Sequence, residues 1–119
     1  MRTKYNSKKI SHAGYTFDSR GEGDLFDFLK YAEMGGHITD ITTQPNVHLT
    51  KARILYKPDF KVWNKDLQLH EYYEFKGFET AVWRIKRRLW KYYGPSTLYV
   101  YKKNRKGVFL HETIIPKGG

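Results

Sequence analysis

With 119 residues the chain has room for one hydrophobic core and not for two, and the absence of cysteine excludes disulfides and thiolate-bound metals. Lys and Arg number 22 against 12 Asp and Glu, a formal charge of +10 that favours a polyanionic partner; nucleic acid is preferred over acidic lipid, because no segment reads as a membrane-surface helix. No apolar run is long enough to span a bilayer and residues 1–9 are polar and basic rather than leader-like, so a soluble, cytoplasmic protein is expected.

In chain order, residues 1–16 form a basic arm carrying Lys4, Lys8 and Lys9, expected to become ordered only against a partner or the body of the fold. The spacing of Leu25, Phe28, Leu29 and Ala32 predicts a helix over 20–34, stopped by Gly35-Gly36. Residues 38–49 read as a β-branched strand bent near Gln44-Pro45. Segments 53–63 and 67–76 alternate with period two around Asn64-Lys65-Asp66, the pattern of a hairpin. A second helix is predicted over 80–93, ended by Gly94-Pro95. Its expected buried stripe is Val82, Ile85, Leu89 and Tyr92, with Arg84, Arg87, Arg88 and Lys91 on the other side. Trp83 and Trp90, seven apart, suit core or dimer contacts. Strands over 98–101 and 108–115 close the chain around residues 104–107. The order of helix, three strands, helix and strands predicts a mixed α/β domain over 17–116 with a central sheet, followed by a short tail, 117–119.

The hairpin carries the chemistry. With a two-residue turn at Lys65-Asp66, Asn64 faces Leu67 and Asp59 faces Tyr72, which puts Asp59, Glu74 and Lys76 on one face. Ile54, Tyr56, Phe60, Val62, Leu69, Tyr73 and Phe75 then form the core face, and a one-residue slip would bury the charges instead. Two carboxylates set diagonally across a strand pair, about 7 Å apart at Cα, can converge on Mg²⁺, whose waters include a nucleophile for a phosphodiester. Lys76 beside them can offset charge on the phosphate or orient the attacking water. On spacing alone, an ordinary half-exposed strand accounts for the same three residues. The basic charge of the chain and a further acid, Glu22, on the preceding helix weigh toward catalysis. Ser19-Arg20-Gly21-Glu22 also reads as a capping box, and on the residues alone the cap is the stronger reading of Glu22. Gly21 and Gly23 either permit a close approach or are merely tolerated. The five histidines have no metal-ligand spacing; His70 alone shares the Glu74 face.

Pro58-Asp59 and Glu74-Phe75-Lys76 match the PD-(D/E)XK motif, and the sequence resembles the restriction-endonuclease-like superfamily. It looks most like the small phage-encoded resolvase-like endonucleases, including the phage endonuclease I group that cuts branched DNA. Also carrying the likeness are Lys4-Tyr5-Asn6-Ser7-Lys8-Lys9, Phe17-Asp18-Ser19-Arg20-Gly21-Glu22, Gln44-Pro45, Tyr56-Lys57-Pro58-Asp59-Phe60, the continuation Gly77-Phe78 and Lys86-Arg87-Arg88-Leu89. The resemblance implies a restriction-endonuclease-like core with Glu22, Asp59 and Glu74 as metal-site acids and Lys76 as the catalytic lysine. It further implies Mg²⁺ as cofactor, with Mn²⁺ as a substitute, and a homodimer acting on branched DNA such as Holliday junctions, in the host cytoplasm. Lys4, Lys8, Lys9, Arg20, Arg84, Arg87, Arg88 and Lys91 are the candidate DNA contacts. Where some related enzymes carry an additional acid after the first helix, this chain has Gln44, with Asp40 as the nearest carboxylate, which leaves one or two metals open. A nuclease that nicks DNA without structural preference and a non-catalytic nucleic-acid binder remain as alternatives.

Overall fold

The computed structural model describes residues 10–12 and 14–117. In chain order the elements are β1 (Ile10–His12), β2 (Tyr15–Phe17), α1 (Arg20–Met34), β3 (Ile38–Thr43), β4 (Val47–Leu49), β5 (Ile54–Tyr56), β6 (Phe60–Asn64), β7 (Leu69–Phe75), α2 (Ala81–Tyr93), β8 (Leu98–Lys103) and β9 (Phe109–Ile114). Five strands make the central sheet in the order β3-β6-β7-β8-β9, while β1-β2 and β4-β5 are separate small hairpins. All neighbours in the large sheet are antiparallel except β7 and β8, which run parallel because α2 carries the chain back between them. The mixed α/β class with a central sheet is therefore what the chain adopts.

Alternation along the strands buries the sheet on both faces. Phe60, Val62, Tyr73, Phe75 and Tyr101 pack toward α1, where Phe17, Leu25, Phe26 and Leu29 complete one core. Tyr72, Leu98 and Val100 point the other way, against Trp83 and Trp90 of α2 and against Val47, Leu49 and Tyr56 of the β4-β5 hairpin. In α1, Phe26 takes the inward position and Phe28, expected there, is 42% exposed.

Four sequence expectations need correction. The stretch 38–49 is two strands, β3 and β4, in different sheets, and 53–63 is likewise divided at Lys57-Pro58-Asp59, where proline has no N–H to give a ladder. That break frees Tyr56 from the alternation of β6, so it joins the α2 core rather than the α1 core, with Ile54 exposed; Leu69, at the turn end of β7, is exposed as well. The β6-β7 connection is wider than two residues: Asn64 pairs with Leu69 and Phe60 with Tyr73. Asn64 organises this turn, its Oδ1 accepting from the Leu67 amide and its carbonyl from the Gln68 amide, with Gln68 in the left-handed region at φ 59°. A two-residue shift preserves parity, so Asp59, Glu74 and Lys76 keep one face. The fourth correction is the roll of α2. Val82, Ile85 and Tyr92 are 60%, 58% and 47% exposed, and Trp83 and Trp90 are buried instead. Two indoles bury more apolar surface than Val, Ile and Tyr at the same helix, and Trp90 also finds the Ser96 carbonyl for its Nε1 at 2.8 Å.

Of the basic arm, residues 10–12 pair with 15–17, and the Phe17 ring packs tilted against Phe26 and edge-on against Phe60. Lys4, Lys8 and Lys9 lie outside the described residues, as do 118–119 of the tail; Lys117 donates its amide to the Lys91 carbonyl. Among the described residues no helix is long and apolar enough to cross a membrane.

Candidate active site

Asp59 stands immediately before β6, and the β6-β7 register brings it level with Glu74 near the end of β7. Asp59 Oδ2 accepts from the Phe75 amide at 2.7 Å, and the Asp59 amide in turn donates to the Glu74 carboxylate. The two acids are thus locked across the strand pair. The diagonal spacing expected from the sequence is replaced by direct opposition.

Glu22 comes from the first turn of α1, and Gly21 explains how it gets there. A Cβ at Gly21 would lie inside the ring of Phe75, so only glycine lets the helix end seat on β7. Ser19 caps α1, its Oγ accepting from the Glu22 amide at 3.2 Å. The Glu22 side chain, however, lies in hydrogen-bond contact with Asp59 and also takes an amide hydrogen from Asp18. Half of the capping box is present, and the carboxylate that would complete it faces the other acids. Gly23 has no comparable constraint, with Phe17 at ordinary contact distance.

All three carboxyls are buried, and all three hold their protons above the ordinary carboxylate range. Burial is the largest cause for each. For Asp59, the strongest case, repulsion from Glu74 and Glu22 adds to it, and for Glu22 so does repulsion from Asp18. Glu74 is held back by Lys76, whose Nζ is 3.4 Å from its Oε2, and by Tyr56, whose hydroxyl donates to its Oε1 at 2.6 Å. The Tyr56 hydroxyl is itself pushed well above its usual value, by burial and then by Glu74. Lys76 also sits over the Trp83 ring, 4.8 Å from its centroid. Trp83 Nε1 is buried without a hydrogen-bond partner among the described residues.

These groups share a cleft of about 760 Å³, lined by Asp18, Arg20, Glu22, Asp59, Glu74 and Lys76 among others, with the Ser19 and Thr80 caps of both helices at its edge. Its donors are hard oxygens, the type that suits Mg²⁺, and a cation would relieve the repulsion that raises their proton affinity. Among the described residues no three acidic or imidazole groups stand as a ready-formed ligand cage. Their oxygens are instead engaged with Phe75, Tyr56, Lys76 and one another. Glu71 is a useful contrast on the opposite face. It is buried too, but Asn64 and Tyr99 satisfy its two oxygens at 2.8 Å each, a structural arrangement that leaves nothing for a ligand.

Arg20 is exposed at the cleft wall. Arg84, Arg87, Arg88 and Lys91 line a separate depression of about 450 Å³ with Glu79 and Glu112. Arg87 forks onto Glu112, and Arg84 lies 3.7 Å from Glu79, so Arg88 and Lys91 are the less committed charges. Asp40 is exposed at a bulge in β3 with φ 55°, away from the cleft; Gln44 lines a small cavity together with Asp18 and Glu22. Three histidines stand outside the cleft: His37 pairs with Asp66, His70 packs on Trp63, and His111 stacks on Tyr101. Sequence reasoning missed Asp18, Tyr56 and Trp83. Asp18 and Tyr56 lie inside the strings that carry the family likeness, but nothing in their spacing announces contact with Glu22 or Glu74.

The molecule is thus a mixed α/β protein whose sheet end and first helix gather three buried acids beside a lysine. Residues 2–107 match the model of a family described as a protein of unknown function, DUF1064, and the chain belongs to that family. No curated protein and no solved structure matches it.

Proposed function

We propose that the protein is a Mg²⁺-dependent DNA endonuclease with a restriction-endonuclease-like core, acting on branched DNA as a homodimer. The observation that carries the reading is the meeting of Glu22, Asp59 and Glu74 in one cleft with Lys76 at its side, in a chain of charge +10. A protein does not bury three mutually repelling carboxyls without cost, and an acid cluster in an accessible cleft is better explained by function than by packing.

Asp59, Glu74 and Glu22 would hold the cation, which when bound supplies Lewis acidity and an activated water. The Phe75 amide and the Tyr56 hydroxyl orient Asp59 and Glu74 through one oxygen each, and the second Glu74 oxygen faces Lys76. Lys76, steadied by Glu74 and the Trp83 face, presents its ammonium to the non-bridging oxygens of the phosphate and offsets charge as it develops. Arg20 at the cleft and the Arg88-Lys91 side of α2 contact the backbone farther out.

The test is incubation with supercoiled plasmid and with a four-way junction, in Mg²⁺, in Mn²⁺ and in chelator. Metal-dependent scission of the junction is expected. Equal cutting of plain duplex would leave a nicking nuclease, and retention of DNA with no scission in any divalent metal would leave only a binder.

A further inference from the structure

Next to the acid cleft, sharing Glu74, Lys76 and Thr80 with it, lies a second hollow of about 360 Å³. Its size is within the range of roughly 300–1,000 Å³ usual for small-ligand sites. Its walls divide by chemistry. Lys57, Lys76 and Lys86 bring three ammonium groups, and Leu55, Val82 and Trp83 bring apolar surface. Different elements contribute them: Lys57 lies two residues before Asp59 in the β5-β6 break, Lys76 follows β7, and Val82 and Lys86 are one turn apart on α2. Among the described residues neither Lys57 nor Lys86 makes an ion pair, whereas the arginines of the α2 depression are partly neutralised by Glu79 and Glu112.

A polyanion that approaches three buried acids needs uncommitted cations close by to offset the repulsion, and Lys57 and Lys86 border a hollow that shares Glu74 with the acid cleft. Apolar side chains beside them suit the flat face of a base or the sugar, and they do so without selecting one base over another. We infer that this hollow is the subsite for the nucleotide adjoining the bond that is cut, its phosphate held by Lys57 and Lys86 and its base or sugar laid against Leu55 and Val82. The inference rests on the nuclease reading and supplies a physical basis for its preference for branched DNA. A base stacked within a duplex is not free to lie on Leu55 and Val82, so the subsite favours an unpaired or loosely stacked nucleotide, as found at a branch point.

The experiment measures binding in chelator, where no cleavage occurs, using fluorescently labelled branched DNA in which each phosphate near the cut is replaced in turn by a neutral methylphosphonate. Lys57→Met/Lys86→Met is compared with Lys51→Met/Lys65→Met, a pair that removes the same charge at exposed positions outside the hollow. The first pair is expected to weaken binding about tenfold beyond the second and to flatten the salt dependence by roughly two units of logarithmic slope. One methylphosphonate should weaken the wild type strongly and the Lys57→Met/Lys86→Met protein hardly at all, the signature of a direct contact. An abasic site at the same nucleotide should weaken the wild type severalfold and Val82→Ser no further. Equal losses from the two lysine pairs, or methylphosphonate penalties that add in full on the variant, overturn the subsite while metal-dependent cutting by the wild type leaves the nuclease reading standing. Coupling at one phosphate in a protein that never cuts supports the hollow as a nucleotide site and defeats the nuclease reading instead.

Discussion

Asp59 concentrates the energetic tension of the molecule, because it is buried, faces two other acids, and among the described residues has only the Phe75 amide as a donor between strands. Asp59→Ala, Glu74→Ala and Lys76→Ala are each expected to abolish cleavage while leaving the fold and most DNA affinity intact, since affinity comes mainly from phosphate contacts elsewhere. Near-normal cutting by any one of them would remove that residue from the mechanism. The same tension makes a stability prediction of definite sign. The folded protein binds the Asp59 proton more tightly than the unfolded chain does, so the stability Asp59 contributes is fully present below the ordinary carboxylate range and is lost as pH rises through the raised folded-state value. Asp59→Asn keeps an acceptor for the Phe75 amide and has no charge to bury. In chelator at neutral pH it should raise Tm by several degrees, about what 1 kcal/mol produces in a domain of this size, and the gain should vanish at acid pH. A melting temperature unchanged at both pH values would show that the burial carries no such cost.

At the scale of elements, the seat of α1 on β7 matters most. Alanine is the better helix former by about 1 kcal/mol, yet Gly21→Ala drives a methyl into the Phe75 ring, which packs within the α1 core. Overpacking of this kind costs roughly 1–3 kcal/mol, and moving Glu22 by even 1 Å can cost about a hundredfold in rate. Cleavage should therefore fall more than stability, and Phe75→Leu in the same chain should restore part of both; full activity in Gly21→Ala alone would mean that the helix seat is not needed. In α2, whose tryptophans face the core, the opposite side carries Arg88 and Lys91. Replacing both with Gln should weaken binding alike for all DNA sequences and reduce the salt slope by roughly two units, whereas an unchanged slope would return this face to plain solvation.

Across the whole molecule, the described residues form one acid cleft, and on the proposed reading one cleft would cut one phosphodiester at a time. Resolution of a junction needs two cuts related by symmetry, which a C₂ pair of chains supplies. Trp83 and Trp90 are taken up by the core and cannot form that interface, but Ile85, Tyr92 and Tyr93 leave apolar surface on the outer side of α2. Sedimentation is expected to give about twice 14.2 kDa, and Ile85→Asp should return the protein to monomer. A monomer both free and on DNA, cutting linear duplex as readily as a junction, would contradict the paired-cut scheme.

Much of this architecture is written in local chemistry. The helix over 20–34 follows from its spacing and its Gly-Gly stop, and the shared face of Asp59, Glu74 and Lys76 follows from period-two alternation, which survives a two-residue error in register. The roll of α2 could not be read the same way. Val82-Ile85-Leu89-Tyr92 and Trp83-Trp90 are both regular apolar stripes, and only the surface across from the helix decides which is buried. Likewise, the period-two alternation of 53–63 concealed both the break at Lys57-Pro58-Asp59 and the crossing of Tyr56 to the other core, where it reaches Glu74. What the sequence determined by itself is the two helices and the shared strand face of Asp59, Glu74 and Lys76, because those depend on neighbours one to four positions away. The tertiary structure alone decided that Glu22 leaves its cap to meet Asp59, that Gly21 yields its place to Phe75, and that Lys57 and Lys86 border one hollow, because each depends on contacts between segments far apart in the chain.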